Sequence, residues 1–425
     1  LKNLNRVVLV AAVALLSCGL ALAQVVFSVV KVPGVSPNSA TGINTSSNVL
    51  VNTGSSDSYQ VSIWGRISGT QSVGLSGTNS GGSAIDNAGE VVGAGDPGHT
   101  GDLQAFVWRP ISGVQWLGSL GGALSAATGV SNSGAVVGLS YTAANKQHAF
   151  FWTANAGMQD LTPGLTSVGG GTAMAINTSN QVVGYYYPNG TYSTFGFFWT
   201  QAGGFQSFGP AGTLPYAIND GGTVVGQSQF ANGFRHAFSW TQSGINDLGT
   251  LGGVESTALS INSRGWIAGT SMTSSGNGMT HGFLWTPAGG MQDFTVLAGL
   301  SPNQQTYSVQ VNDFGVVALS TNKGGYLLVP KMVGVFTSSA NPSKAGQAVT
   351  FTASLNSFSG LPLDGETVQF SANGKVLGTA PLKGGVAQFT TSTLAVGSHP
   401  VVANYSGDAN YLPTKYTAFT QVVNP

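Results

Sequence analysis

The stretch RHAFSWTQSGINDLGTLGG, residues 235–253, holds a histidine, a tryptophan, an aspartate and four glycines. It reads either as a reactive site or as a structural unit that the chain uses repeatedly. Its core recurs as QAFVW ending at Trp108, HAFFW at Trp152, GFFW at Trp199 and HGFLW at Trp285, with Trp64 closing the first such run. Ahead of each aromatic run lies a second motif, Ile/Val-Asn-x-x-Gly-x-Val-Val-Gly, followed with departures from Ile43, Ile85, Val130, Ile176, Ile218, Ile261 and Val311. The intervals are 42, 45, 46, 42, 43 and 50 residues. In the seventh unit GGYLL replaces the aromatic run and puts Leu328 at the tryptophan position. A period of this length, with four short strand patterns in each unit, predicts a repeated four-stranded sheet.

Composition agrees with strands. Sixty-three glycines, 28 charged residues and 42% hydrophobic content describe a folded chain with a polar, mostly uncharged surface. No convincing helical period occurs beyond the N-terminus. The expected fold is all-β: a seven-bladed β-propeller over residues 24–330, then an immunoglobulin-like β-sandwich over 331–425. VVFSVVKVPG at 25–34 stands where a fourth strand for the incomplete seventh unit is needed, so it is expected to close the ring. A linear β-solenoid is the alternative, although solenoid coils generally repeat at shorter periods. Crowding near an axis assigns the Ala/Ser/Gly-rich first strand to the inside, and the six tryptophans are expected to pack between blades.

The first 23 residues read as an export signal: Lys2 and Arg6, an apolar run from Val7 to Leu16, then Ala21-Leu22-Ala23 before Gln24. A rival reading takes Leu15-Leu16-Ser17-Cys18 as a lipoprotein signal with Cys18 lipidated. Cleavage after Ala23 removes the lone cysteine and excludes disulfides and thiolate chemistry. It leaves 12 basic against 14 acidic residues, a balance that draws neither nucleic acid nor anionic lipid. No transmembrane segment is expected after cleavage. The protein is expected to be a secreted or cell-surface monomer.

HAFFW, HAFSW, GMQDL and DLGTLGG resemble the bacterial HAF-type extracellular repeat family over about residues 25–330. That resemblance implies an exported repeat protein and no established common activity. Asn341-Pro342-Ser343, GKVLGT, LAVGSH and YSGDANY resemble the group 3 bacterial immunoglobulin-like domain over about 332–425. That resemblance implies a spacer or adhesive module.

Recurrence sets the weight of each candidate residue. His148, His236 and His281 hold one repeat position, and a group that recurs from blade to blade is expected to serve the blade. Asp86, Asp220 and Asp313 in turns, and Asp160, Asp247 and Asp293 on fourth strands, are read the same way. Residues that the repeat does not explain are the site candidates. Asp96, His99 and Asp102 on a Gly-rich loop are one possible cation set, against the plainer reading of a solvated turn. Tyr185, Tyr187 and Tyr192, within YYYPNGTYSTF at 185–195, are the candidate ligand-binding residues, against packing between blades. No loop has grown into a catalytic insertion. The functional expectation is a non-enzymatic surface binding or adhesion protein with no cofactor, taking a glycan or an envelope protein at a propeller mouth. The alternatives are a polysaccharide lyase or hydrolase and a purely structural envelope protein.

Overall fold

In the computed structural model of the protein the described residues are 26–35, 40–55, 58–75, 80–98, 100–165, 170–275 and 278–425. The leader expected at 1–23, with Cys18, and the candidate ligand His99 lie outside them. The described chain is all-β, its one α-helical element being the single turn Phe294–Leu297 in the longest inter-repeat loop.

Seven four-stranded antiparallel sheets follow one another, over residues 40–72, 81–116, 121–160, 171–208, 214–247, 252–293 and 306–330. The seventh supplies only three strands from that range and takes its fourth from Phe27–Val32. This N-terminal strand lies antiparallel to Gly324–Pro330, with Phe27 opposite Pro330 and Val32 opposite Gly325. The first strand of each sheet touches that of the next, and the first strand of the seventh touches that of the first. Together they surround an axial channel of about 270 Å³, to which Thr41, Ile85, Thr128, Met174, Tyr216, Leu259 and Gln310 each bring one sheet. The architecture is propeller-like.

Each motif residue has a physical task. In the turn after the first strand, Gly89, Gly134, Gly222, Gly265 and Gly315 have φ between 75° and 82°, the left-handed region that glycine enters at least cost. Ser47 and Asn180 take it in the first and fourth repeats, at φ 54° and 56°. The glycine ending Val-Val-Gly is needed for a different reason. A Cβ on Gly138, Gly184, Gly226 or Gly269 would collide with a carbonyl oxygen of the neighbouring first strand, which bulges there.

The motif asparagine works in two directions. The Asn262 Oδ1 accepts the backbone N–H groups of Arg264 and Trp266 in its own turn, at 3.0 and 2.9 Å. Its Nδ2 donates to the Asn312 carbonyl of the next sheet at 3.0 Å. Asn44, Asn177 and Asn219 donate in the same way to the carbonyls of Asp86, Asn219 and Asn262. Asn312 donates to the Asn44 carbonyl at 3.1 Å, so the series of staples runs from the last sheet back to the first.

The series is interrupted where Asp86 and Ser131 replace asparagine. Asp86 caps its own turn, accepting the Glu90 N–H at 2.8 Å, but a carboxylate has no N–H to donate onward. Burial, aided by the nearby Glu90, raises the Asp86 carboxyl above its usual range. Raised in the folded state, this carboxyl favours folding most below the ordinary Asp range, and that contribution is lost as pH climbs through the folded value. Asp86→Asn is expected to add a staple toward the Ser131 carbonyl and stabilise by about 1 kcal/mol at pH 7. The gain should shrink near pH 3.5, and urea melts at the two pH values check both the sign and the trend.

Between sheets the core is aromatic. Phe106, Phe150, Phe197, Phe238 and Phe283, from the recurring aromatic runs, are fully buried. Trp108 packs among Leu50, Val61 and Ile63 of the preceding sheet, Trp152 among Val92, Ala105 and Val107, and Trp199 among Ala135, Val137 and Ala149. Trp64 reaches Val316 and Ala318 of the seventh sheet. Trp240 stacks on Phe208 with centroids 4.3 Å apart, and Trp285 joins Val225 and Ala237.

The C-terminal segment forms two facing sheets, one of Val333–Ser338, Val349–Asn356 and Val386–Thr391, the other built around Thr367–Ala372, Gly397–Tyr405 and Phe419–Asn424. Its core holds Phe351, Phe370, Tyr405 and Tyr411. Nine strands are present among the described residues, two of them the two-residue pieces Ser343–Lys344 and Thr414–Lys415. This domain rests on the asparagine-turn ends of the sixth, seventh and first sheets. Asn410 Oδ1 accepts from Ser47 Oγ at 2.6 Å and from Asn312 Nδ2 at 3.1 Å, while Phe358 stacks on Trp266 at 5.3 Å. Arg66 donates to the carbonyls of Asp408 and Tyr411. Beneath that loop, burial and the neighbouring Asp408 push the Glu366 carboxyl up to about 7.

Candidate functional site

The tyrosines that the repeat does not explain converge in one place. Tyr185 is the next-to-last residue of the Val-Val-Gly strand Val182–Tyr186 of the fourth sheet, and the chain then leaves the strand through Tyr187 and Tyr192 toward Thr194. Tyr187 is anchored by its N–H, which donates to the Gly170 carbonyl at 2.9 Å. The Thr194 carbonyl accepts the Gly212 N–H at 2.8 Å, tying this loop to the entry of the fifth sheet. That entry strand, Leu214–Ile218, carries Tyr216, and the next two strands bring Gln229 and Arg235 into register as a directly opposed pair.

These groups line a cleft of about 470 Å³ between the fourth and fifth sheets. Its wall is aromatic and its rim polar: Tyr185, Tyr187, Tyr192 and Tyr216, then Gln229 and Arg235. Tyr185 and Tyr187 meet edge to face with centroids 6.1 Å apart, so their rings present differently oriented surfaces. Tyr192 is 95% exposed and stands as an outer post. Burial, with Tyr185 beside it, holds the Tyr216 phenol above its usual range, while Arg235 pulls the other way. Tyr216 and Met174 also line the axial channel, so the two cavities share part of a wall. Tyr186 points elsewhere. Its hydroxyl donates to Ser207 Oγ at 2.9 Å and its ring packs on Phe205, a sheet role.

The cleft opens at the ends of the strands away from the asparagine turns, the ends the immunoglobulin-like domain leaves clear. Tyr216 and Arg235 escape a reading of the sequence because each lies inside a motif strand. Their signal was weak but present. The position of Tyr216 is Thr41, Ser83, Thr128, Met174 and Leu259 in five other repeats, so LPYAIN puts a large ring where the first strands otherwise carry smaller or unbranched aliphatic groups.

The other candidates occupy different settings. The Asp96 carboxylate accepts the N–H groups of Gly98, Thr100 and Gly101 at 3.3, 3.1 and 2.7 Å, which organises its own loop. Asp102 is exposed on that loop. Among the described residues no group of three His, Cys, Asp or Glu side chains has metal-ligand spacing. His148 Nδ1 faces Asp160 Oδ2 at 2.7 Å and Nε2 faces the Leu165 carbonyl at 2.9 Å. His281 is held in the same manner by Asp293 at 2.7 Å and the Pro302 carbonyl at 2.9 Å. His236 Nδ1 lies 2.9 Å from Asp247 Oδ2. These pairs tie the third strand of a sheet to its fourth.

The bacterial Ig-like domain (group 3) model matches residues 336–424. No curated protein matches the chain in sequence. Among solved structures the chain is similar to the extracellular domain of a hybrid two-component system from B. thetaiotaomicron, at 9% identity and TM-score 0.36, covering 94% of this chain and 58% of that one. It is also similar to TolB from Acinetobacter baumannii, at 10% identity and TM-score 0.39, covering 67% and 63%. A third is the acylaminoacyl peptidase of Pyrococcus horikoshii, at 9% identity and TM-score 0.44, covering 74% and 57%. The chain spans less than two thirds of the length of each of these three structures. Among the described residues no helix is long and apolar enough to cross a membrane.

Proposed function

We propose that the protein is an exported, non-enzymatic glycan-binding protein of the cell surface or its surroundings, built as a seven-bladed β-propeller with an immunoglobulin-like spacer. The ligand sits in the tyrosine cleft at the mouth opposite that spacer. The observation that carries this reading is the meeting of Tyr185, Tyr187, Tyr192 and Tyr216 in one open cleft. Tyrosine offers a broad apolar face to the C–H surface of a pyranose and a hydroxyl to its polar edge. The cleft volume lies within the ordinary range for small-ligand sites. Among the described residues its lining includes no carboxylate, whereas glycoside hydrolysis generally uses a pair of them, so binding is the chemistry that these side chains support.

A glycan array on the purified protein, followed by titration of each hit, tests the proposal. Tyr185→Ala and Tyr192→Ala are each expected to weaken a hit about tenfold or more, since a desolvated aromatic contact at a binding site contributes about 1–2 kcal/mol or above. Tyr192 is exposed, so its loss leaves the melting temperature in place. An array without hits, or hits indifferent to both substitutions, refutes the assignment.

A further inference from the structure

We infer that the cleft is selective for acidic glycans, with the carboxylate of a uronic acid residue held by Arg235. The inference rests on the glycan-binding reading above and names the class of sugar. Among the described residues Arg235 is the one charged side chain in the lining of the cleft. It is exposed, and among the described residues it forms no ion pair. Asp247, on the following strand opposite Phe238, is engaged by His236 at 2.9 Å. Its position is fixed by pairing: Arg235 opens the strand Arg235–Thr241 directly opposite Gln229. The Gln229 Nε2 donates to the Gly233 carbonyl at 3.2 Å, which turns the amide oxygen toward other donors such as a sugar hydroxyl.

The chemistry follows from this placement. A pyranose ring lying on the tyrosine faces carries its C5 carboxylate at the ring edge, in the plane where a guanidinium at the rim can meet it. The planar fork of arginine donates two parallel hydrogen bonds to a carboxylate, a fit that an ammonium group cannot reproduce. A cation at the rim also disfavours cationic sugars. At the repeat-equivalent position, five residues before the tryptophan, the other units carry Tyr59, Leu103, Gln147, Thr194, Thr280 and, in the seventh, Lys323, so the arginine is not a requirement of the sheet.

The test compares oligogalacturonate with neutral galacto- and gluco-oligosaccharides of the same length by titration calorimetry, on the whole chain and on Arg235→Gln and Arg235→Lys. Wild type is expected to prefer the uronate by about tenfold or more, the scale of a charge-assisted hydrogen-bond pair. Arg235→Gln should abolish that ratio, and Arg235→Lys should keep only part of it. Raising salt from about 50 to about 500 mM should reduce the ratio in wild type, because the contact is near the surface. Equal binding of acidic and neutral chains, or a preference for a sulfated over a carboxylated chain, overturns the inference and leaves glycan binding intact. Absence of binding to every chain removes both. Circular dichroism on each variant confirms that the ratio reports recognition and not folding.

Discussion

A chain beginning at Gly34, without the strand Phe27–Val32, is expected to show no cooperative unfolding transition. The strand contributes two fully buried side chains, Phe27 and Val32, each anchoring a different inter-sheet cluster. Burying side chains of this size stabilises by about 1.5–3 kcal/mol apiece. The six residue pairs with Gly324–Pro330 disappear as well, along with the bond from the Lys331 N–H to the Val26 carbonyl at 2.8 Å. The sum approaches the whole stability of an ordinary domain, about 5–15 kcal/mol. The truncated seventh sheet also presents an unpaired strand edge, which favours association between chains. Urea denaturation followed by tryptophan fluorescence, with light scattering in parallel, measures both effects. A synthetic peptide covering residues 25–33 should restore the transition when added in excess. Cooperative unfolding of the truncated chain at the wild-type midpoint contradicts the role assigned to this strand.

The second large effect is expected at Trp152→Ala, with a loss of about 3–5 kcal/mol. The indole is 4% exposed and lies among Val92, Ala105 and Val107 of the sheet before it. Its removal empties space between two sheets that cannot collapse together, because their positions are fixed on both sides by the remaining sheets. Trp152→Phe should recover part of the loss. Trp240→Ala should cost less, since that indole is only partly buried and stacks on Phe208 from one side. An unchanged denaturation midpoint for Trp152→Ala contradicts the packing.

Much of this architecture is legible in the residues because a repeat states its structural rules several times over. Val-Val-Gly, the turn asparagine and the aromatic run each mark a fixed step of one four-stranded unit. The opening stretch 235–253 is thus explained mostly by its sheet: Phe238 fills the core, His236 meets Asp247, and Trp240 packs on the preceding sheet. The same regularity hides what is particular. Arg235 and Tyr216 lie within motif strands, and only the register of neighbouring strands shows that they share a cleft with Tyr185, Tyr187 and Tyr192. The staples from each asparagine to the next sheet span 42 to 50 residues, or 268 at the closure, so no local pattern displays them. Docking of the immunoglobulin-like domain is less visible still. Asn410 meets Ser47 across 363 residues, and YSGDANY reads as an ordinary loop of its own domain.

Disulfide trapping of Lys31→Cys with Tyr326→Cys puts the central claim to the most direct trial. These residues are directly opposite across the closing strand pair, at the partly exposed surface of the seventh sheet, and opposed positions in antiparallel strands bring their Cβ atoms to within about 4.5–5.5 Å. In the chain from Gln24, which has no other cysteine, oxidation is expected to give a monomer of increased electrophoretic mobility that unfolds at higher urea than its reduced form. Free thiols after oxidation, or cross-linking only between chains, would show that the start of the chain does not fasten the last sheet and that the sheets do not close in this way.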